Sequence, residues 1–145
     1  MGSAAASTVV WPEKYIVKRE HKNYDLCVTD AENNVFLVIE NKVKSVPYKE
    51  QLDIYMAASP DASHLLLALA DEFPDKAEIK KDWTVVNYEI LSRALRKFIS
   101  DAALGSYQTD ILLDYADMIE SLHQIQKQWT IADTQSFYFR DKRPD

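Results

Sequence analysis

Short apolar stretches alternate with charged ones along this chain, and the spacing inside each stretch predicts its local structure. Tyr15 to His21 has strand character, and Tyr24 to Thr29 alternates between apolar and polar as a half-buried strand does. Asp30-Ala31-Glu32-Asn33-Asn34 is a cluster of turn formers. Val35 to Val43, rich in β-branched residues, is a strong strand. The last two runs and the turn between them predict an antiparallel hairpin. Lys49 to Ala58 reads as a short helix stopped by Ser59-Pro60. Leu65 to Ala70 is a continuous apolar run, the mark of a strand buried on both faces. Asp71 to Asp82 reads as a charged connection, and Trp83 to Asn87 as another short strand.

Two helices follow. Ile90, Leu91, Ala94, Leu95, Phe98 and Ile99 form the apolar stripe of the first, which ends near Gly105. In the second, Ile111, Tyr115, Met118, Leu122, Ile125 and Trp129 are separated alternately by 4 and 3 residues, which keeps one face apolar. That stripe is shorter than three heptads, so a helix packed on its own domain is expected rather than a coiled coil. Ser136 to Arg140 has edge-strand character. The order strand, strand, strand, helix, strand, strand, helix, helix predicts an α/β (α+β) domain. Its central mixed sheet is flanked by helices and followed by a C-terminal helical pair.

Composition narrows the chemistry. At 145 residues the chain fits one domain, expected over residues 8–145, with Met1 to Ser7 reading as a cloning scar. No apolar run approaches the roughly 18 residues of a membrane span, and no signal peptide is legible. The single Cys27 excludes an internal disulfide, and a reducing cytoplasm is the expected compartment. Scattered His21, His64 and His123 offer no zinc spacing and read as surface or boundary residues. Two glycines exclude a phosphate-cradling loop. The net charge of −6 falls entirely on residues 51–145, which hold 10 basic and 16 acidic side chains, while residues 1–50 hold 7 of each. Lys14, Lys18, Arg19, Lys22, Lys42, Lys44 and Lys49 could therefore meet a phosphate backbone if they share a face.

The informative segment is Val35-Phe36-Leu37-Val38-Ile39-Glu40-Asn41-Lys42-Val43. Strand parity puts Phe36, Val38, Glu40 and Lys42 on one face, the last two about 6.6 Å apart along the strand. Charges at the end of an apolar strand carry a desolvation cost and call for partners or a task. A hairpin turn centred near Glu32 and Asn33 brings Asp25 level with Glu40. Two carboxylates can hold a hard divalent cation. A neighbouring lysine can orient water or offset developing charge. Gln51 and Tyr55 lie one helical turn apart on the next element. The plainer alternative is an ordinary ion pair at a strand end followed by ordinary helix content.

The ordered set Asp25, then Glu40-Asn41-Lys42, then Gln51 to Tyr55 resembles the PD-(D/E)XK nuclease superfamily. The likeness is to the bacterial branch whose strand reads Ile-Glu-Asn-Lys and whose helix reads Gln-Leu-x-x-Tyr, and it covers roughly residues 15–122. Tyr24 stands where the family's name has Pro. The resemblance implies a restriction-endonuclease-like fold and hydrolysis of nucleic acid, with DNA the first expectation. It also implies Mg²⁺ or Mn²⁺ as cofactor. Asp25 and Glu40 would be metal ligands, with the Asn41 carbonyl completing the protein's share. Lys42 would act on the attacking water. Gln51 and Tyr55 would be accessory, and Glu20 could add a third carboxylate. Competing expectations are a nucleic-acid-binding or protein-interaction module without turnover, and a homo-oligomer or subunit of a larger assembly docking through the Ile111 to Trp129 helix.

Overall fold

The computed structural model describes residues 11–43 and 45–128. Five strands form one mixed sheet in the order β1-β2-β3-β4-β5. They are β1 (Tyr15–His21), β2 (Tyr24–Asp30), β3 (Val35–Lys42), β4 (Ser63–Ala68) and β5 (Thr84–Asn87). The helices are α1 (Lys49–Ala58), α2 (Lys76–Asp82), α3 (Tyr88–Asp101) and α4 (Ser106–Gln128). Among the described residues no helix is long and apolar enough to cross a membrane. The chain forms two compact units. One gathers the chain up to Asn41 with Tyr48–Leu66 and Asp75–Val85; the other gathers Lys42–Pro47, Leu67–Pro74 and the chain from Val86 onward.

In the first unit β1, β2 and β3 form an antiparallel meander whose register follows from its turns. His21 pairs with Tyr24, leaving Lys22 (φ 53°) and Asn23 (φ 68°) as a two-residue loop. Both residues take the left-handed conformation that a type I′ turn requires, one Asn tolerates better than most residues. Between β2 and β3 the Asp30 carboxylate accepts the backbone N–H groups of Glu32 and Asn34 and the Asn34 side chain, each at 2.9 Å. Asn33 is left-handed there too (φ 69°). Asp30 thus satisfies turn donors that would otherwise be unpaired, and those bonds, Asn34's side chain first, hold its pKa below the usual carboxylate value. Tyr24, Cys27, Val28, Leu37, Val38, Leu52 and Leu66 are buried in this unit, the adjacent Cys27 and Val28, and Leu37 and Val38, on opposite faces of the meander.

In the second unit α3 and α4 pack as a pair. Asn87 caps α3 by accepting the N–H of Ile90, and its amide donates to Asp71 at 2.7 Å. Ser92 donates to the Ala116 carbonyl, and Arg96 bonds Asp117 and Glu120 on α4.

Several expectations are corrected. The connection after Asp71 contains α2, with Trp83 as its C-terminal cap rather than the start of β5. The fourth strand begins at Ser63, and its burial alternates between buried and half-buried instead of being complete on both faces. The second helix of the C-terminal pair turns the other way. Ala116, Ile119 and His123 are buried, while Ile111, Tyr115, Met118 and Ile125 are exposed. Two of the three histidines are interior: His123 is 0% exposed and His64 7%. Trp129 and the Ser136 to Arg140 segment lie outside the described residues.

Candidate active site

The meander's register sets the site. Leu26 pairs with Ile39, Cys27 with Val38 and Val28 with Leu37, so the same register carried one step on sets Asp25 opposite Glu40. A shift between Val28 and Thr29 absorbs the turn without disturbing that end. Asp25 is exposed, and its Oδ2 accepts the Asn41 backbone N–H at 2.7 Å. This charge-assisted bond ties one carboxylate to the strand that carries the other. Glu40 is 2% exposed. It is buried beneath α1, where Gln51 Nε2 reaches its Oε1 at 3.5 Å.

Gln51 and Tyr55, one turn apart, do share a face. Gln51 Nε2 donates to Tyr55 Oη at 2.7 Å, and Tyr55 Oη donates to the Asn23 carbonyl at 2.9 Å. The Tyr55 ring meets Tyr24 edge to face at 5.2 Å, and Tyr24 Oη bonds Ser59 Oγ at 2.8 Å. A chain of side chains thus runs from the β1–β2 turn through α1 to Glu40. It fixes the rotation of α1 and orients the Gln51 amide.

Asp25, Glu40, Asn41, Gln51 and Tyr55 therefore come together. Lys42 is the last residue of β3 and half-buried; its carbonyl accepts the Leu69 N–H at 2.9 Å. Glu20 lies exposed on β1 with a left-handed backbone (φ 49°), and the β1–β2 register, Arg19 with Leu26 and His21 with Tyr24, sets it across from Asp25. Sequence reasoning missed Asn23 and Tyr24. Asn23 matters through its backbone carbonyl, which no residue pattern reveals. Tyr24, an aromatic beside the proposed ligand, was the readable signal.

The oxygens that the sequence names as candidate ligands, two carboxylates and the Asn41 carbonyl, are all hard donors. Among the described residues no group of three or more His, Cys, Asp and Glu side chains converges to hold a metal ion. A carboxylate pair with few further protein ligands still fits Mg²⁺, which keeps several of its waters and takes one or two carboxylates.

A mixed sheet flanked by helices, carrying paired carboxylates on its central strand and that strand's neighbour, is the build of a restriction-endonuclease-like protein. A model of the PD-(D/E)XK nuclease superfamily matches residues 3–136, and the chain belongs to that superfamily. No curated protein and no solved structure matches it.

Proposed function

We propose that this protein is a divalent-metal-dependent nuclease that hydrolyses phosphodiester bonds in nucleic acid, with DNA as the expected substrate. The observation that carries the reading is the buried Glu40 side chain. A carboxylate at 2% exposure is costly to keep, and this one sits at a strand end in register with Asp25. Family membership supports the reaction class.

In this reading Asp25, Glu40 and the Asn41 carbonyl hold the cation, Mg²⁺ or Mn²⁺. When bound, it would supply charge stabilisation at the scissile phosphate. Asn41 N–H keeps Asp25 turned toward β3. Gln51 holds Glu40, and Tyr55 holds Gln51, so the carboxylate needs little reorganisation when substrate arrives. Lys42 shares Glu40's strand face by parity. Its ammonium offsets negative charge on the attacked phosphate and orients the nucleophilic water. Glu20 is left out of the metal shell.

The test is cleavage of plasmid, linear duplex, single-stranded DNA and RNA with Mg²⁺ or Mn²⁺, beside Glu40→Ala and Lys42→Ala. The intact protein is expected to cut at least one DNA form, and both variants to lose activity about 10²-fold or more. Equal cleavage by the variants would expose a contaminant. No cleavage of any substrate would favour a binding module on the same fold.

A further inference from the structure

We propose that Lys22, at the tip of the β1–β2 hairpin, is a substrate-binding residue whose ammonium takes a backbone phosphate of the nucleic acid beside the one being cut. The role rests on the nuclease reading of Asp25 and Glu40 and adds a contact outside the metal's own ligands.

Lys22 (φ 53°) and Asn23 (φ 68°) are both left-handed, and so is Glu20 just before them (φ 49°). Asn tolerates that region because its short side chain can bond locally, which a lysine cannot do. The first position of a type I′ turn is ordinarily Asn, Asp or Gly. A lysine there is held against its own backbone preference, and strain of this kind gathers where function fixes a side chain in place.

The ammonium is available. Lys22 is exposed, and no hydrogen bond or ion pair among the described residues engages it. Its neighbours are engaged: Lys18 reaches Asn33 at 2.8 Å, and Lys49 binds Asp53 at 2.7 Å. His21 pairs with Tyr24 to close the ladder, so Lys22 stands two residues past the level of Asp25, roughly 7 Å along the sheet. Burial pushes the Cys27 thiol up, and the Lys18 and Lys22 ammonium groups both oppose that rise. Strand parity puts Cys27 on the same face as Asp25. The Lys22 charge is therefore felt on the side of β2 that carries the proposed metal ligand. Lys14, Lys18, Arg19 and Lys22 also make this a basic stretch in a chain of net charge −6, which favours a polyanion here over the rest of the surface.

The turn shares its support with the site. Tyr55 Oη donates to the Asn23 carbonyl at 2.9 Å, Gln51 donates to Tyr55 Oη at 2.7 Å, and Gln51 reaches Glu40 at 3.5 Å. One run of contacts thus sets both the Lys22 backbone and the Glu40 carboxylate. A phosphate on Lys22 and another on the cation are then kept in fixed relation, as alignment of a single linkage for attack requires.

Binding and cleavage are measured separately. Fluorescence anisotropy of a labelled DNA duplex and a labelled single strand, with Mg²⁺ and in the Glu40→Gln background, reads binding without cutting. Lys22→Ala should weaken binding about 3–10-fold and lower the slope of log affinity against log salt by about 0.9 on the duplex or 0.7 on the single strand. Lys22→Arg should bind like the parent, since Arg also meets phosphate. Lys22→Gly removes the charge and the left-handed strain together. It should bind as weakly as Lys22→Ala and melt no lower than the parent, an outcome a purely structural lysine would not give. With Glu40 restored, the loss in cleavage should fall on KM, with kcat kept within about 2-fold. Unchanged affinity and salt slope in Lys22→Ala, or no binding of either DNA by the parent, overturns the proposal. Binding that depends on Lys22, beside a wild-type protein that cleaves no substrate, upholds the contact and removes the nuclease reading instead.

Discussion

Glu40 in the first unit and His123 in the second are both deeply buried ionisable side chains, and they are kept in different ways. Glu40 sits in the first unit at a strand end, held through Gln51 and Tyr55, with the exposed Asp25 on the neighbouring strand. His123 sits in the second unit on α4, wholly enclosed. Its Nε2 lies 3.7 Å from Asp71 Oδ2 and 3.6 Å from Glu89 Oε2, and neither ring nitrogen has a hydrogen-bond partner among the described residues. Those carboxylates are engaged elsewhere: Asp71 accepts from Asn87, and Lys127 lies 3.3 Å from Glu89 and holds its pKa down. The first arrangement is oriented and stands beside an exposed carboxylate, Asp25. The second is closed by its own chain. Burial of an ionisable group alone therefore marks no site; what counts is which groups surround it.

The largest expected effect separates the two directly. Glu40→Gln keeps shape and removes charge. It should cost activity about 10²–10³-fold while leaving the melting temperature unchanged or raised, because a desolvated carboxylate burdens the fold. A large drop in stability would mean that Glu40 is structural. His123→Ala should do the reverse: about 2–4 kcal/mol of stability lost to a cavity, read by urea denaturation, with cleavage per folded molecule unchanged.

A smaller effect tests the chain that holds Glu40. Tyr55→Phe removes the hydroxyl between Gln51 and Asn23. It should cost about 1 kcal/mol and reduce the maximal rate more than substrate affinity. An affinity loss at full rate would instead place Tyr55 on the substrate.

The smallest effect is a pH dependence within the first unit. His64 packs on Trp83 with ring centroids 4.9 Å apart. Burial pushes its pKa below the ordinary imidazole value, against opposing pulls from a Tyr55 backbone bond and Asp82. The folded state thus resists protonation that the unfolded chain accepts. Stability is complete above the unfolded histidine value, about 6.5, and is lost as pH falls through it toward the lower folded value. Wild type should weaken relative to His64→Leu as acid is added. Parallel melting curves for the two proteins would remove His64 as the cause.

How much of this was legible in the sequence depended on whether one force decided the outcome. The β2–β3 hairpin was legible because alternation, turn chemistry and length all point to one register, and that register aligns Asp25 with Glu40. Helix α2 was not, since seven residues with only Ile79 buried carry almost no periodic signal. The face of α4 was misread for a different reason. Periodicity shows that an apolar stripe exists, not that the core takes it. Here the core takes the side with Ala116, whose small side chain lets α3 approach closely enough for Ser92 to reach the backbone. His123 was read as peripheral because its burial comes from partners distant in sequence. The Tyr55 to Asn23 bond was invisible because a carbonyl's direction follows from backbone geometry.

The tight β1–β2 turn imposes one more constraint. Because the Asn23 carbonyl is the acceptor for Tyr55, the loop at Lys22–Asn23 is a datum from which α1 takes its angular setting. One inserted residue there would displace that acceptor and release Tyr55 and Gln51, though neither has changed. The β2–β3 turn is closed locally by Asp30, and what reaches it from β1 is the exposed, flexible Lys18 ammonium on Asn33 Oδ1 at 2.8 Å. Two turns of the same meander thus differ in how much length variation they can accept, and the tighter one is the less forgiving.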